Sequence, residues 1–513
     1  MKYKRTLVSF IVSFLPLLIS CGFSFDPSGG GSSKEDILEL NVVAFNDFHG
    51  AIEEDSNNGR MGLAKLGTYL KQQSEEDNTL ILSQGDDWQG SIYSNYNRGR
   101  LVNDVYSYCH LSARTVGNHD FDWGVEALEA NTAAGYDDYV TPVLAANVYD
   151  YDFSTKTNGN TQQIEIGQQT ITYTLENGLK VGIVGVIGKD QITSITSSYT
   201  EDICFKDHID IVKTLATQLR EENDCDVVIA SAHTGQEDLI GNNLSDYVDL
   251  VLCGHTHKSE STTEGNLHYE QFGAYGRYVG NITLTYNTKT HKVNYASKEV
   301  IDDYSINSKI TSIDTTIQSL INQYNVQCDA EANEVLASNV TGTFKSSYEA
   351  PNLMCKAIYD QCVAEGHSDV VLTYCNQARS NLYSDQWDYS NIYQSFPFDN
   401  VIYIESVKGW DIINEVAKYN NVYINPSFDC IINPNSYYKI AVIDYLLYHT
   451  NSNRSYDYFY YFDGQPDDQL SINYRLILRK WLKDNDYNTG TLMSSSDYSS
   501  YMECFDRSRI TQA

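Results

Sequence analysis

Five β-prone runs of this chain stop in the same way, and no other feature constrains its fold as tightly. Residues 37–45 run into Asn46-Asp47-Phe48-His49-Gly50, residues 79–83 into Gln84-Gly85-Asp86-Asp87, and residues 112–116 into Gly117-Asn118-His119-Asp120-Phe121-Asp122-Trp123-Gly124. Residues 226–232 then end in His233-Thr234-Gly235, and residues 248–253 in Gly254-His255-Thr256-His257-Lys258. A buried strand that breaks off abruptly into polar residues delivers those side chains to a site at its C-terminal edge. Between these runs, residues 62–71 and 101–109 are expected to be crossover helices, and residues 180–187 a core strand with no polar payload.

Each end is a weak signal alone. The octapeptide at 117–124 also fits a turn with a capping Asn and a hydrogen-bonded histidine. Five ends that carry Asp, Asn or His and almost nothing else polar are harder to explain by solvation, and their donors are those of a metal site. Asp86, held between strand end and turn, can reach two cations with its two oxygens. Asn118 offers an amide oxygen, His119 a ring nitrogen able to act as acid or donor, and Asp122 a carboxylate that fixes the tautomer of that ring.

At 513 residues the chain exceeds one ordinary core, so two folded domains and processing segments are expected. The net charge of -33 argues against binding nucleic-acid polymers or anionic membranes through a basic face. An anionic substrate must therefore be held by local devices, metals or a buried Arg. Lys2, Lys4 and Arg5 precede an apolar stretch at 7–19, then Ser20 and Cys21, the order of a secretory signal too short to span a bilayer. Residues 18–21 resemble a bacterial lipobox, which makes Cys21 the expected lipidation site and residues 22–36 a flexible tether with Pro27 and three consecutive glycines. The other cysteines form no Cys-x-x-Cys pair. They are expected to be buried small hydrophobes, with disulfides open among them.

In that order, Asp47-x-His49, Gly85-Asp86, Gly117-Asn118-His119-Asp120, His233 and Gly254-His255-x-His257 resemble the calcineurin-like metallophosphoesterase superfamily. The strings GDDWQGS, GNHDFDWG, Ala145-Ala146-Asn147-Val148 and QFGAYGRYVG at 271–280 narrow the resemblance to the secreted 5'-nucleotidase and UDP-sugar hydrolase family. The resemblance implies a four-layer α/β/β/α sandwich over residues 37–304, with two divalent metals at the strand ends. Asp47, His49, Asp86 and His257 would hold one; Asp86, Asn118, His233 and His255 the other. Zinc, manganese, iron and cobalt all suit such mixed nitrogen and oxygen donors. His119 and Asp122 would form the catalytic dyad, while Asp120 stands where many relatives have Glu and is not expected to ligate. The two metals would activate a hydroxide for in-line attack on phosphorus.

Residues 305–324, with Ile306, Ile310, Ile313, Ile317 and Leu320 near helical spacing, are expected to form one amphipathic helix in a linker at 305–340. A smaller α/β domain is expected over 341–513. Its Cys375-Asn376-Gln377-Ala378-Arg379 resembles the family's phosphate-binding Arg loop, although Gln377 and Ala378 replace glycines. Phe396-Pro397-Phe398-Asp399-Asn400 resembles the family's Pro-Phe-x-Asn, and residues 438–445 a strand ending in an aromatic platform, Tyr445. Asn118, Arg379 and Tyr445 are therefore the expected substrate contacts. The family's Gly-Gly-Asp-Gly loop is replaced by Tyr448-His449-Thr450-Asn451, so nucleoside specificity is not inherited. The expectation is an extracytoplasmic phosphohydrolase of nucleotides or nucleotide sugars, anchored to the bacterial cell membrane only by lipid. A cyclic-nucleotide or other phosphoester hydrolase on the same scaffold, and a non-catalytic surface-binding lipoprotein, are the alternatives.

Overall fold

The computed structural model describes residues 36–133, 135–150, 166–195, 199–200, 203–414, 421–429, 431–447, 459 and 466–498. Cys21, the signal and nearly all of the tether, Cys430, Cys504 and residues 448–451 lie outside them.

Two six-stranded sheets are built from strands that lie between Ile37 and Asp302. The first runs Lys292–Asp302, Tyr278–Asn287, Ile37–Phe45, Thr79–Ser83, Ala113–Thr115, Val143–Leu144, parallel from Ile37–Phe45 onward. The second runs Ser259–Glu264, Leu267–Phe272, Leu250–Cys253, Val227–His233, Lys180–Ile187, Thr170–Thr174, with its four central strands parallel. Alternating side chains explain the stacking. Leu40, Val42, Ala44, Leu80 and Leu82 of one sheet form a single cluster with Val181, Ile183, Val227, Ile229, Leu250 and Leu252 of the other. The opposite faces pack on helices. Val43 and Ile81 meet Leu63, Leu66, Leu70, Leu101 and Val105, while Val184, Val186, Val228 and Val251 meet Ile209, Val212 and Leu219 of the helix His208–Glu221. These are the four layers α/β/β/α. Parallel strands send their C-terminal ends to one edge, so the payload of all five ends gathers there.

Residues 305–324 are not one helix. Ile306–Lys309 stops at Ile310, which is extended, and Thr315–Asn325 starts anew with Asp314 accepting from the backbone N–H groups of Thr316 and Ile317. The apolar spacing continues across the break because Ile306, Ile317 and Leu320 pack into the same core. The capping Asp314, which follows Thr311-Ser312-Ile313, overrides it.

Farther on, Val335–Thr341 pairs with Asp385–Asp388 and Met493–Ser494, and a five-stranded sheet runs Val422–Ile424, Leu372–Tyr374, Tyr437–Ile443, Ile402–Lys408, Asp468–Gln469. The helix Glu349–Ala364 packs against this sheet through Leu353, Met354, Ala357 and Ile358. Strand Tyr437–Ile443 ends before Tyr445, which instead sits in the first turn of Asp444–Leu447. Among the described residues the cysteines are free thiols, buried except for the half-buried Cys204. None of the described helices is long and apolar enough to cross a membrane.

Candidate metal and phosphate site

The ligand-type residues leave their strands through strained backbone. Asp47, His49, Asp86, His255 and His257 all take positive φ, between 50° and 72°, a conformation uncommon for non-glycine residues and concentrated at functional sites. Gly90 is needed beside them, because a Cβ there would lie 2.1 Å from the carbonyl oxygen of His49. The loops also grip one another. The His119 N–H donates to Asp86 Oδ1 at 2.7 Å, the His255 N–H to Asp47 Oδ2 at 2.9 Å, and the Asn46 side-chain amide to Asp47 Oδ2 at 2.6 Å.

Two donor groups result. In Asp47, His49 and His257, one ligand atom from each converges with the others within 4.8 Å, and the same holds for Asp86, His233 and His255. His49 Nε2 and His257 Nε2 lie 2.9 Å apart, and His257 Nε2 is 3.5 Å from Asp47 Oδ1. In the second group His233 Nε2 is 3.2 Å from Asp86 Oδ2, and Asn118 Oδ1 lies 3.1 Å from His233 Nε2 and 2.9 Å from His255 Nδ1. The other His233 ring nitrogen, Nδ1, faces the Gln84 carbonyl oxygen at 2.7 Å, which orients the ring. Asp86 stands between the groups, with Oδ2 also 3.9 Å from His49 Nε2.

Burial and mutual charge set the protonation of these donors. Burial pushes the Asp47 carboxyl up to about 7, against the opposing pull of His233. Burial also disfavours charge on His233, but the carboxylates of Asp86 and Asp47 outweigh it and lift the ring to about 10. Burial, with the neighbouring cations, drops His255 and His257 to about 3. Two neutral imidazoles therefore face carboxylates and a third imidazole at distances a divalent cation would bridge, and the donor set fits two such ions. Because a cation must displace the protons on His233 and Asp47, affinity for manganese or zinc is expected to fall as pH drops from 8 to 6, with protons released on binding. Calorimetry in buffers of different ionisation enthalpy measures both.

Beside the donors, His119 Nδ1 lies 2.8 Å from Asp122 Oδ2, and the ring stacks on Phe398 with centroids 5.2 Å apart. Arg379 Nη2 contacts His119 Nε2, and its guanidinium lies over Phe398 at 5.0 Å. The structure thus brings every expected site residue of the described chain to one place. A cavity of about 800 Å³ is lined by Asp86, Asn118, His119, His255, His257 and Arg379, and also by Tyr445. Trp123, Tyr199, Arg277, Asn400 and Asp444 line it too without having been singled out as contacts from the sequence. Asn400 had a signal in the Pro-Phe-x-Asn resemblance, whereas Tyr199 and Asp444 had none. Asp120 does not reach the donors. Its carboxylate pairs with Arg114 Nη2 at 2.7 Å and accepts from the Gly117 N–H at 2.8 Å.

Comparison with known proteins agrees with this geometry. The family model of calcineurin-like phosphoesterases matches residues 40–259. An apyrase of Tabanus yao is 29% identical over 304 residues, covering 52% of this chain and 51% of that protein, and the 5'-nucleotidase of Rattus norvegicus is 26% identical over 361 residues, 62% and 59%. The chain thus spans about half to three-fifths of the length of these curated relatives. The crystal structure of a 5'-nucleotidase precursor from Thermus thermophilus superposes with a TM-score of 0.72 at 16% identity, over 92% of this chain and 99% of that one, which establishes a shared fold. Both donor groups fall inside the matched segment, and this chain carries a calcineurin-like metallophosphoesterase domain with 5'-nucleotidases among its relatives.

Proposed function

We propose that the protein is a metal-dependent phosphohydrolase of nucleotides that removes a 5'-phosphate or splits a nucleotide sugar. The observation that carries this reading is the meeting of Arg379 with His119 beside both donor groups, inside a cavity with room for a nucleoside. Asp47, His49, Asp86 and His257 would hold one divalent cation, and Asp86, Asn118, His233 and His255 the second. Such a pair, when bound, polarises phosphoryl oxygens and lowers the pKa of water at the site. Asp122 keeps a proton on His119 Nδ1 and aims Nε2 at the point Arg379 also reaches, so ring and guanidinium together offset charge developing on the transferring phosphoryl group. Tyr445 and Phe398 offer apolar faces to the rest of the substrate. The relatives' printed names, apyrase and 5'-nucleotidase, support phosphate chemistry on nucleotides.

A panel of nucleoside monophosphates, nucleotide sugars and cyclic nucleotides, assayed with manganese or zinc and again after chelation, tests the reading. Turnover should require metal and return on add-back; a full rate in metal-free protein would sink it. His119→Asn is expected to lower kcat about 10²- to 10³-fold with metal content unchanged. Arg379→Ala is expected to cost about 1.5 to 3 kcal/mol in kcat/KM for nucleotides. The reading places the enzyme outside the cytoplasm as a lipoprotein, on the strength of the apolar stretch at 7–19 and Cys21. Cys21→Ala should release it from membranes or leave an uncleaved precursor, and unchanged fractionation would refute the anchor.

A further inference from the structure

The cavity holds a cation that the phosphoryl chemistry above does not use. In a chain of net charge -33, Arg100, Arg114, Arg220, Arg475 and Arg479 each pair with a carboxylate. Arg277 lines the cavity without a carboxylate partner among the described residues, as Arg379 does. Its Nε donates to the Asn58 carbonyl oxygen at 2.9 Å, and its guanidinium lies over the Tyr275 ring at 5.5 Å. These contacts position the group, yet its Nη donors meet no acceptor among the described residues, and the side chain is only half-buried. They remain open to a ligand.

The turn that carries Arg277 is strained. Tyr275 takes φ 59° and Gly276 φ 62°, and the Arg277 N–H closes the turn on the Ala274 carbonyl oxygen at 3.2 Å. Positive φ in a residue as bulky as tyrosine is an outlier of the kind that clusters at ligand sites. The Tyr275 N–H donates to the Asp47 carbonyl oxygen at 2.7 Å, and its ring lies 5.2 Å from the His49 ring and 5.3 Å from the His257 ring. Tyr275 thus ties Arg277 to the donor group of Asp47, His49 and His257 and sets it one ring's width beyond them. Arg379, by contrast, contacts His119 directly. The two cations therefore serve different parts of an extended anion.

We propose that Arg277 is a specificity-determining residue that holds the second phosphate of a phosphoanhydride, either a nucleoside diphosphate or its sugar ester. The inference rests on the nucleotide reading above. Water attacks the phosphorus at the donor groups, a new P–O bond forms and the bridging P–O bond breaks. The bridging oxygen keeps the electron pair and departs with the second phosphate, while one proton from the water passes to solvent. Negative charge accumulates on that departing phosphate, where the guanidinium fork of Arg277 offsets it. A nucleoside monophosphate puts a ribose in that place and draws no such contact.

The test measures kcat/KM of the full, metal-loaded chain for ADP, UDP-glucose and AMP, with bis(p-nitrophenyl) phosphate as a control without base or anhydride. Arg277→Gln should lower ADP and UDP-glucose roughly 10- to 100-fold relative to AMP, the loss of one charge-assisted hydrogen bond. The ratio is taken within one variant, so a general loss of folding or of metal cancels from it. Arg277→Lys keeps the charge without the fork and should recover part of the ratio. A fall confined to ADP or to UDP-glucose upholds the site and shows whether it serves the free or the sugar-linked diphosphate. A ratio unchanged in Arg277→Gln, a Lys variant no better than the Gln variant, or a wild-type chain that hydrolyses AMP and neither anhydride would overturn the inference and leave the nucleotide reading standing. Hydrolysis of the control with no nucleotide accepted at all would overturn the nucleotide reading itself, and the role of Arg277 with it.

Discussion

Asp86→Asn is expected to lower turnover about a thousandfold, the equivalent of roughly 4 kcal/mol, and to reduce bound metal at both donor groups. The substitution keeps the size of the side chain and removes its charge. Burial works against that charge, yet His233, His119 and His49 outweigh it and hold the carboxyl well below its ordinary value. Asp86 Oδ2 is 3.2 Å from His233 Nε2 in one group and 3.9 Å from His49 Nε2 in the other, while Oδ1 accepts from the His119 N–H. One residue thus touches both groups and the loop that carries His119. Loss of a one-sided residue such as His257 should spare the second group. Elemental analysis beside kinetics separates the cases: if Asp86→Asn keeps two metals and most of its rate, Asp86 does not join the two groups.

The strand ends were legible because a parallel strand buried on both faces has no reason to carry a polar residue except at its end. Thus Asp47, Asp86, Asn118, His233 and His255 announced themselves against apolar runs such as residues 250–253. The strained backbone of Asp47, His49 and Asp86 gives no such signal, since only glycine advertises positive φ in a sequence. The break between Ile306–Lys309 and Thr315–Asn325 was masked by apolar residues that keep helical spacing across it. The carboxylate of Asp314 caps the second helix and marks where the chain restarts. The cavity wall was the least legible. Asp444 reads as an ordinary polar residue at a strand end until tertiary contact sets it against Asn400, 44 residues earlier. Arg114 stands as a permanently charged residue inside the β-prone run 112–116, and its burial comes only from the structure.

Arg114→Met is expected to destabilise the protein by about 3 to 5 kcal/mol, the cost of leaving buried charges without their partner, and to weaken metal binding as well. Arg114 is fully buried, with Nε 3.2 Å from Asp87 Oδ2 and Nη2 2.7 Å from Asp120 Oδ1, and its guanidinium lies 4.0 Å over the Trp88 ring. Burial opposes its charge, but Asp120 and Asp87 raise its pKa further. Ser83 and Tyr106 hydroxyls also donate to Asp87, and the Gly117 N–H donates to Asp120. The network therefore fastens the loop after Thr79–Ser83, which carries Asp86, to the loop after Ala113–Thr115, which carries Asn118 and His119. Groups that orient ligands from behind typically change metal affinity 10- to 100-fold when lost. Denaturant unfolding of the metal-free protein and a metal titration read the two effects separately. Adding Asp87→Asn and Asp120→Asn to Arg114→Met removes the stranded charges, so stability should recover in part while metal affinity stays low, because neutral amides no longer bind the two loops through a shared cation. Full recovery of both would mean that the triad contributes only charge balance and that the loops hold their places through the Asp86 and His119 contact alone.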